Sequence, residues 1–516
     1  MSETFEMVAK TFQGLEGVLS DELVAMGAQD VLQGKRMVSF RGDKELLYRA
    51  NFGLRTALRV LKPIYKFTST DADDLYEQVK LFQWEDIMTE SSTFSIDCTV
   101  YSETFRHSRF VTYRVKDGIA DYFMERCGKR PSIRLNSPDY QFNVHISGDD
   151  VTISLDSSGE PLYKRGWRVA QTDAPINEVL AAGIIKLSGW DGESNFVDPM
   201  CGSGTFLIEA ALIAANINPG VYRKEYAFQK WPDYDDELFE TIYNDDSGER
   251  EFNHKIYGYD ILGKAVATAK ANIKNAGLSQ YIEVERVPLE EQTTAPEKGV
   301  LITNPPYGER LTSDELPQLY ATIGEKLKKV FVGYDCWLIV GKNKELIDNL
   351  GLKASVHYPL LNGDIECELR EYVIFDGSFD DMRRKGGSIK NTEFRASDKP
   401  TYERRDRRDD SRRDFKRGDR RDRHDGERRE RREGGFKRRR DNGDRGVNPM
   451  RKRHDEGDTH VYRTDRPYGE NEKRDANRRR TFSFHGPQLG EDKERPVFKG
   501  RRNGWKRRDA TTDENS

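Results

Sequence analysis

Between about residues 175 and 376 the chain alternates short apolar runs with stretches of helical spacing, a pattern that points to a doubly wound α/β sheet. Phe196-Val197-Asp198 precedes a helix-like run over 206–215, residues 256–260 precede another over 265–276, and strand-like segments follow at 282–287 and 300–303. Leu316, Leu319, Ile323, Leu327 and Val330 fall on one helical stripe, and residues 337–340 and 372–375 supply late strands. A sheet of this kind presents its ligand site at the C-terminal ends of its strands.

Upstream, residues 1–60 read as a small α+β unit, with Val18, Leu19, Leu23 and Val24 spaced as a helix and Met37-Val38-Ser39-Phe40 as a strand. Residues 61–160 read as a second unit, with a strand at 94–100, a helix at 116–126 and a strand pair at 142–146 and 151–155. Downstream the composition changes. Residues 401–516 contain one leucine and no isoleucine, too little apolar surface to repay ordering, so a disordered tail is predicted over 379–516. Residues 401–516 carry 38 Lys+Arg against 26 Asp+Glu, leaving 47 against 63 in residues 1–400, so the overall charge of −4 conceals an acidic folded part and a basic end.

The five cysteines, Cys98, Cys127, Cys201, Cys336 and Cys367, have neither zinc-ligand spacing nor the density of a disulfide framework. No metal is expected, and a reducing cytoplasm fits. The first residues lack the progression of a signal peptide, and no apolar run approaches the roughly 20 residues that span a bilayer. A soluble, non-exported protein is expected.

Two segments carry chemistry. In Phe196-Val197-Asp198-Pro199-Met200-Cys201-Gly202-Ser203-Gly204-Thr205-Phe206 a glycine-rich turn joins a strand to a helix, and Gly202 and Gly204 can take positive φ and let a ligand lie on bare backbone. Tight packing or a dinucleotide would also suit such a turn. The full G-x-G-x-x-G spacing and a P-loop lysine are both missing, which disfavours dinucleotides and triphosphates. Tyr257-Gly258-Tyr259-Asp260 ends the next strand with a carboxylate suited to two ribose hydroxyls, although a solvated strand-end acid is the plainer alternative. The 62 residues from Asp198 to Asp260 exceed the roughly 20 of a simple unit, which predicts an insertion between about 217 and 253.

The second segment, Val300-Leu301-Ile302-Thr303-Asn304-Pro305-Pro306-Tyr307-Gly308, runs from an apolar strand into a rigid turn. Pro305 and Pro306 fix φ and remove two donors, leaving carbonyls. The Asn304 side-chain carbonyl and the Pro305 backbone carbonyl can then accept both protons of one NH₂ group, aiming its lone pair at a methyl carbon. Tyr307 can stack on an extruded base. A double-proline turn that merely ends a strand is the bland alternative.

These residues resemble the class I methyltransferase domain. The strings Asp198-Pro199-Met200-Cys201-Gly202-Ser203-Gly204-Thr205 and Asn304-Pro305-Pro306-Tyr307-Gly308-Glu309-Arg310-Leu311 are similar to those of the bacterial 23S rRNA guanine-N2 methyltransferases. Ala50-Asn51-Phe52-Gly53-Leu54-Arg55-Thr56-Ala57, Val115-Lys116-Asp117-Gly118-Ile119 and Leu162-Tyr163-Lys164-Arg165-Gly166-Trp167-Arg168 resemble that family's ferredoxin-like and THUMP RNA-binding portion and its linker. The resemblance implies a ferredoxin-like unit at 1–60, a THUMP domain at 61–160 and a class I (Rossmann-like) methyltransferase domain at 161–378. It further implies S-adenosyl-L-methionine as cofactor, held by Asp198, Met200, Cys201, Gly202, Ser203, Gly204, Thr205 and Asp260. By the same resemblance Asn304, Pro305, Pro306 and Tyr307 are catalytic, the product is N2-methylguanine, and the partner is 23S rRNA or a large-subunit assembly intermediate. Relatives can carry a second methyltransferase domain downstream, where this chain has its charged tail, and their acid after the third strand has no clear match in Glu285-Arg286-Val287-Pro288-Leu289, which leaves the adenine contact unassigned.

Candidate phosphate contacts are Arg106, His107, Arg109 and Lys116, with Lys164, Arg165 and Arg168 in the linker. The basic tail, with Phe415, Phe436, Tyr462, Phe482, Phe484 and Trp505, is expected to add nonspecific attraction to RNA, although its interleaved acids also suit solubility or self-association. Two rival functions remain at this stage. One is a methyltransferase acting on DNA adenine N6, cytosine N4 or a protein glutamine; the other is a non-catalytic RNA-binding assembly factor.

Overall fold

The computed structural model describes residues 3–172, 174–307, 315–375 and 377; the predicted disordered tail and the motif residues 308–311 lie outside this set. Strands β1 (Phe5–Lys10), β2 (Gln29–Gly34), β3 (Met37–Gly42), β4 (Arg59–Thr68), β5 (Thr93–Tyr101), β6 (Ser132–Ile133), β7 (Tyr140–Ser147) and β8 (Asp150–Asp156) form one sheet in the order β2-β3-β1-β4-β8-β7-β5-β6. Helices α1 (Glu16–Ala25), α2 (Lys44–Gly53), α3 (Ala72–Leu81) and α4 (Ser108–Cys127) accompany it. Side-chain caps start two of them: Asp43 accepts from Leu46 N, and Asp71 from Asp73 N and Asp74 N. Strand β4 pairs with β1 on one side and β8 on the other, so residue 60 falls inside a strand common to both parts of the sheet.

The second sheet contains β9 (Asn195–Asp198), β10 (Ile256–Tyr259), β11 (Ile282–Glu285), β12 (Gly299–Thr303), β13 (Asp335–Gly341), β14 (His357–Asn362) and β15 (Ile365–Val373), in the order β11-β10-β9-β12-β13-β15-β14. The first five in that order run parallel; β15 is antiparallel to β13, and β14 to β15. Helices α5 (Glu178–Leu187), α6 (Thr205–Ala214), α7 (Asp236–Asn244), α8 (Gly263–Asn275), α9 (Glu315–Lys329) and α10 (Lys344–Asn349) complete this half. All four residues of β9 are buried, as expected of a central strand covered on both faces. Every residue of α6 is buried as well, which explains its apolar character all round. On α9 the predicted stripe is real: Leu316, Tyr320, Ile323 and Leu327 are buried, with Leu319 and Val330 packed beside them.

The predicted insertion has structure and a purpose in packing. Its turns at Pro219–Tyr222 and Ala227–Lys230 and its helix α7 put Tyr226, Phe228, Trp231, Phe239 and Ile242 into the N-terminal hydrophobic core. Phe228 stacks on Tyr48 of α2 with ring centroids 4.4 Å apart, while Phe239 meets Tyr48 edge-on at 5.9 Å. Among the described residues, no helix is long and apolar enough to cross a membrane.

Candidate active site

Parallel register brings the two motif segments to one edge. Asp198 stands level with Gly258 of β10, while β12 pairs Leu301 with Val197, so the turn after β9, Asp260 after β10 and the tetrad after β12 all emerge at the C-terminal side of adjacent strands.

The turn is held from several directions. Gly202 and Gly204 have φ of +53° and +80°. A Cβ on Gly204 would come within 3.2 Å of Ala269 Cβ, so this glycine lets the turn approach α8. Among the described residues a Cβ on Gly202 would meet only Thr172 Oγ1, at 3.9 Å, so these leave space over the backbone in which a ligand could lie. Gly202 N donates to Asp260 Oδ2 at 2.9 Å and Leu262 N to Asp260 Oδ1 at 2.8 Å; each carboxylate oxygen retains a further lone pair for a ligand hydroxyl. Met200 N donates to Asp198 Oδ1 at 3.1 Å, and Thr303 Oγ1 donates to the same oxygen at 2.7 Å. Asp198 thus ties the turn to the end of β12. Burial pushes its carboxyl up to about 7, with the Asp260 charge adding to the rise and the Thr303 and Met200 bonds opposing it. Cys201 is buried against Gly258, and burial drives its thiol well above the ordinary range, which makes it a packing group rather than a nucleophile.

Two arginines expected at the RNA surface, Arg165 buried and Arg168 half-buried, are engaged within the protein. Arg165 is 2% exposed; its guanidinium donates to Glu209 of α6 at 3.3 Å, to Leu162 O at 3.1 Å and to Arg55 O at 2.6 Å. With its donors consumed internally it has no free face for phosphate, and the expectation is corrected. Arg168 turns to the glycine turn instead. Its guanidinium donates to Ser203 Oγ at 2.9 Å, Thr205 Oγ1 at 2.8 Å and Glu178 Oε1 at 2.8 Å. Asn272 of α8, fully buried, finishes the stitching: Oδ1 accepts from Val169 N and Ala170 N, and Nδ2 donates to Ala170 O and Ser203 O. Neither Asn272 nor this use of Arg168 had a signal in the sequence beyond the residue type.

The tetrad differs in character. Among the described residues Asn304 Oδ1 is buried without a hydrogen-bond partner. Such an orphaned acceptor costs about 1–3 kcal/mol, which an incoming N–H donor would offset. Pro305 is buried and Pro306 half-buried. Tyr307 is 8% exposed, with its ring in the core beneath the site and its hydroxyl accepting from Asn362 Nδ2 at 2.7 Å.

The other expected RNA contacts are outside this site. Arg106, His107 and Arg109 are exposed at the N-terminal end of α4, beside exposed Tyr101, Phe110 and Tyr113. Lys116 is half-buried and pairs with Asp117 at 2.7 Å, and exposed Lys164 pairs with Glu160 at 3.1 Å. The exposed run Lys129-Arg130, with Arg134, adds positive charge beyond the opposite end of α4.

A mainly parallel sheet with one reversed strand, a glycine turn after its central strand and an Asn-Pro-Pro-Tyr turn after the neighbouring strand define a class I methyltransferase. Residues 165–371 match the RMKL-like methyltransferase domain, residues 69–156 the THUMP domain and residues 6–61 the RlmL ferredoxin-like domain. A Synechocystis protein described as a candidate RNA methyltransferase is 36% identical over 370 residues, covering 71% of this chain and 96% of that protein. The ribosomal RNA large subunit methyltransferase K/L of Syntrophotalea carbinolica is 40% identical over 392 residues, covering 73% of this chain; the alignment takes in 55% of that relative's length. A methyltransferase crystallised with SAH, SMU.472, superposes with a TM-score of 0.65 at 30% identity, covering 73% of this chain and all of that one. A candidate methylase from Clostridium difficile 630 superposes with a TM-score of 0.66 at 31% identity over the same shares. The chain belongs to the THUMP-bearing RMKL-like methyltransferase family.

Proposed function

We propose that this chain transfers a methyl group from S-adenosyl-L-methionine to the exocyclic N2 amine of a guanine in large-subunit (23S) rRNA, acting in the cytoplasm on the rRNA or an assembly intermediate. Asn304 Oδ1, buried and without a partner among the described residues, beside a ligand-receptive glycine turn, carries the reading. When bound, the cofactor supplies an electrophilic methyl on a positively charged sulfur. The open backbone at Gly202, the Asp260 carboxylate and the braced Ser203–Thr205 segment suit its seat. Asn304 Oδ1 and the Pro305 carbonyl accept the two amine protons and direct the nitrogen lone pair outward from the tetrad; Pro306 stiffens the turn, and the Tyr307 ring supports the base. On transfer the methyl–sulfur bond would break as the N–C bond forms, leaving the cofactor as a neutral thioether, and the amine would shed one proton to solvent, so no strong base is required. We assign residues 1–60 and 61–160 to RNA capture, 161–378 to methyl transfer and 379–516 to the charged tail, with Arg106, His107, Arg109, Lys116 and Lys164 as phosphate contacts. RNA as substrate is supported by the THUMP match, by the SAH-bound neighbour for the cofactor and by the name of the K/L relative for the large subunit.

The test is the product. Purified protein is incubated with radiolabelled S-adenosylmethionine and unmodified large-subunit rRNA, and the digested nucleosides are identified by mass spectrometry. Label in N2-methylguanosine is expected. Label in N6-methyladenosine, or in DNA instead of RNA, would overturn the reading.

A further inference from the structure

We infer that Asn362 is a positioning residue for Tyr307, holding the tetrad's aromatic ring in one orientation from the end of edge strand β14; the inference rests on the methyl-transfer reading above. A ring that supports a base has to keep a defined plane, and free rotation at its hydroxyl end would dissipate that advantage as side-chain entropy. Three constraints meet on Tyr307. Its backbone follows two prolines, which restrict the approach of the chain. Its inner edge lies over β13, where a Cβ on Gly341 would stand 3.6 Å from Tyr307 Cβ and Cδ2. Its hydroxyl accepts from the Asn362 amide at 2.7 Å.

Asn362 stands on a firm frame. It ends β14 and pairs with Ile365 across a two-residue turn whose first central residue, Gly363, has φ of +64°. Two and three residues earlier the strand is braced from the N-terminal half: Gly14 lies so close that a Cβ there would fall 2.7 Å from Pro359 O and 3.0 Å from Leu360 Cδ2. Leu15, fully buried, belongs to the same hydrophobic cluster as Leu360 and Tyr307. The β14–β15 hairpin therefore bears on both the RNA-binding half and the tetrad, meeting Tyr307 through Asn362 and, on β15, through Cys367.

A double-mutant cycle separates this role from general support of the fold. Single-turnover methyl transfer to large-subunit rRNA is measured for Tyr307→Phe, Asn362→Ala and the double variant, alongside S-adenosylmethionine affinity by calorimetry. Each single variant is expected to slow transfer about fivefold, the double to be no slower than either, and cofactor affinity to stay unchanged. Asn362→Asp, whose carboxylate can accept from the tyrosine hydroxyl, should recover most of the rate. A native rate in Asn362→Ala, multiplicative losses in the double variant, or an equal loss of cofactor affinity would overturn the inference. A native rate in Tyr307→Ala would instead overturn the reading of the tetrad on which it rests.

Discussion

The glycine turn and the tetrad sit at the ends of neighbouring strands and are built on opposite principles. Around the turn the polar groups find one another: Gly202 with Asp260, Met200 with Asp198, Ser203 with both Arg168 and Asn272, Thr205 with Arg168. At the tetrad one buried acceptor is left open among the described residues, and the Tyr307 hydroxyl is tied to Asn362 of the β14–β15 hairpin. A seat for a cofactor of constant shape benefits from being assembled in advance, because no ordering remains to be done on binding. An acceptor for a substrate amine has to keep its valence vacant until the amine arrives. Thr303 and Asp198 join the two regions, so the open acceptor hangs from the same pin as the closed seat.

Loosening the seat should act on cofactor binding. Arg168→Lys keeps a positive charge opposite Glu178 but loses the planar fork that reaches Ser203 and Thr205 together, and it should weaken S-adenosylmethionine binding about fivefold with RNA affinity unchanged. Calorimetry with the cofactor and filter binding with rRNA check it. A weaker, less salt-sensitive RNA complex with native cofactor affinity would return Arg168 to the phosphate-contact role.

A smaller effect should come from the pin. The Asp198 carboxyl holds its proton to about 7 in the folded protein against a reference of 3.8, so its stabilising contribution is complete below about pH 4 and is lost as pH rises through about 7. Asn cannot titrate. Relative to the native protein, Asp198→Asn should therefore gain melting temperature progressively from pH 4 to 7 and then level off, by a few degrees in total, read from thermal melts across that range. A constant offset at every pH would contradict this account of the pin.

Much of the architecture was legible beforehand because it is periodic or punctuated. Strand β9 with its glycine turn, the Asn-Pro-Pro-Tyr turn and the α9 stripe are local patterns, and parallel topology then fixes which ends come together. What escaped was decided by partners distant in sequence. Arg165 and Arg168 sit in a string that reads as basic surface, yet Glu209 and Glu178 arrive from separate helices to neutralise them. Nothing local to Asn272 announces that it stitches the linker to the turn. The β14–β15 hairpin did have a signal, Asn362-Gly363-Asp364 between strand-like runs, but only the fold shows that its asparagine meets Tyr307. The insertion's aromatics likewise showed composition without destination; α2 of the N-terminal half is what they pack against.

The central claim is that Asn304 Oδ1 is the waiting acceptor for the target amine, and Asn304→Ala tests it directly. Single-turnover methyl transfer to large-subunit rRNA should fall by roughly 10²–10³-fold, while S-adenosylmethionine and RNA affinities stay within about twofold of native. A variant that binds both partners and still methylates guanine at the native rate would contradict it.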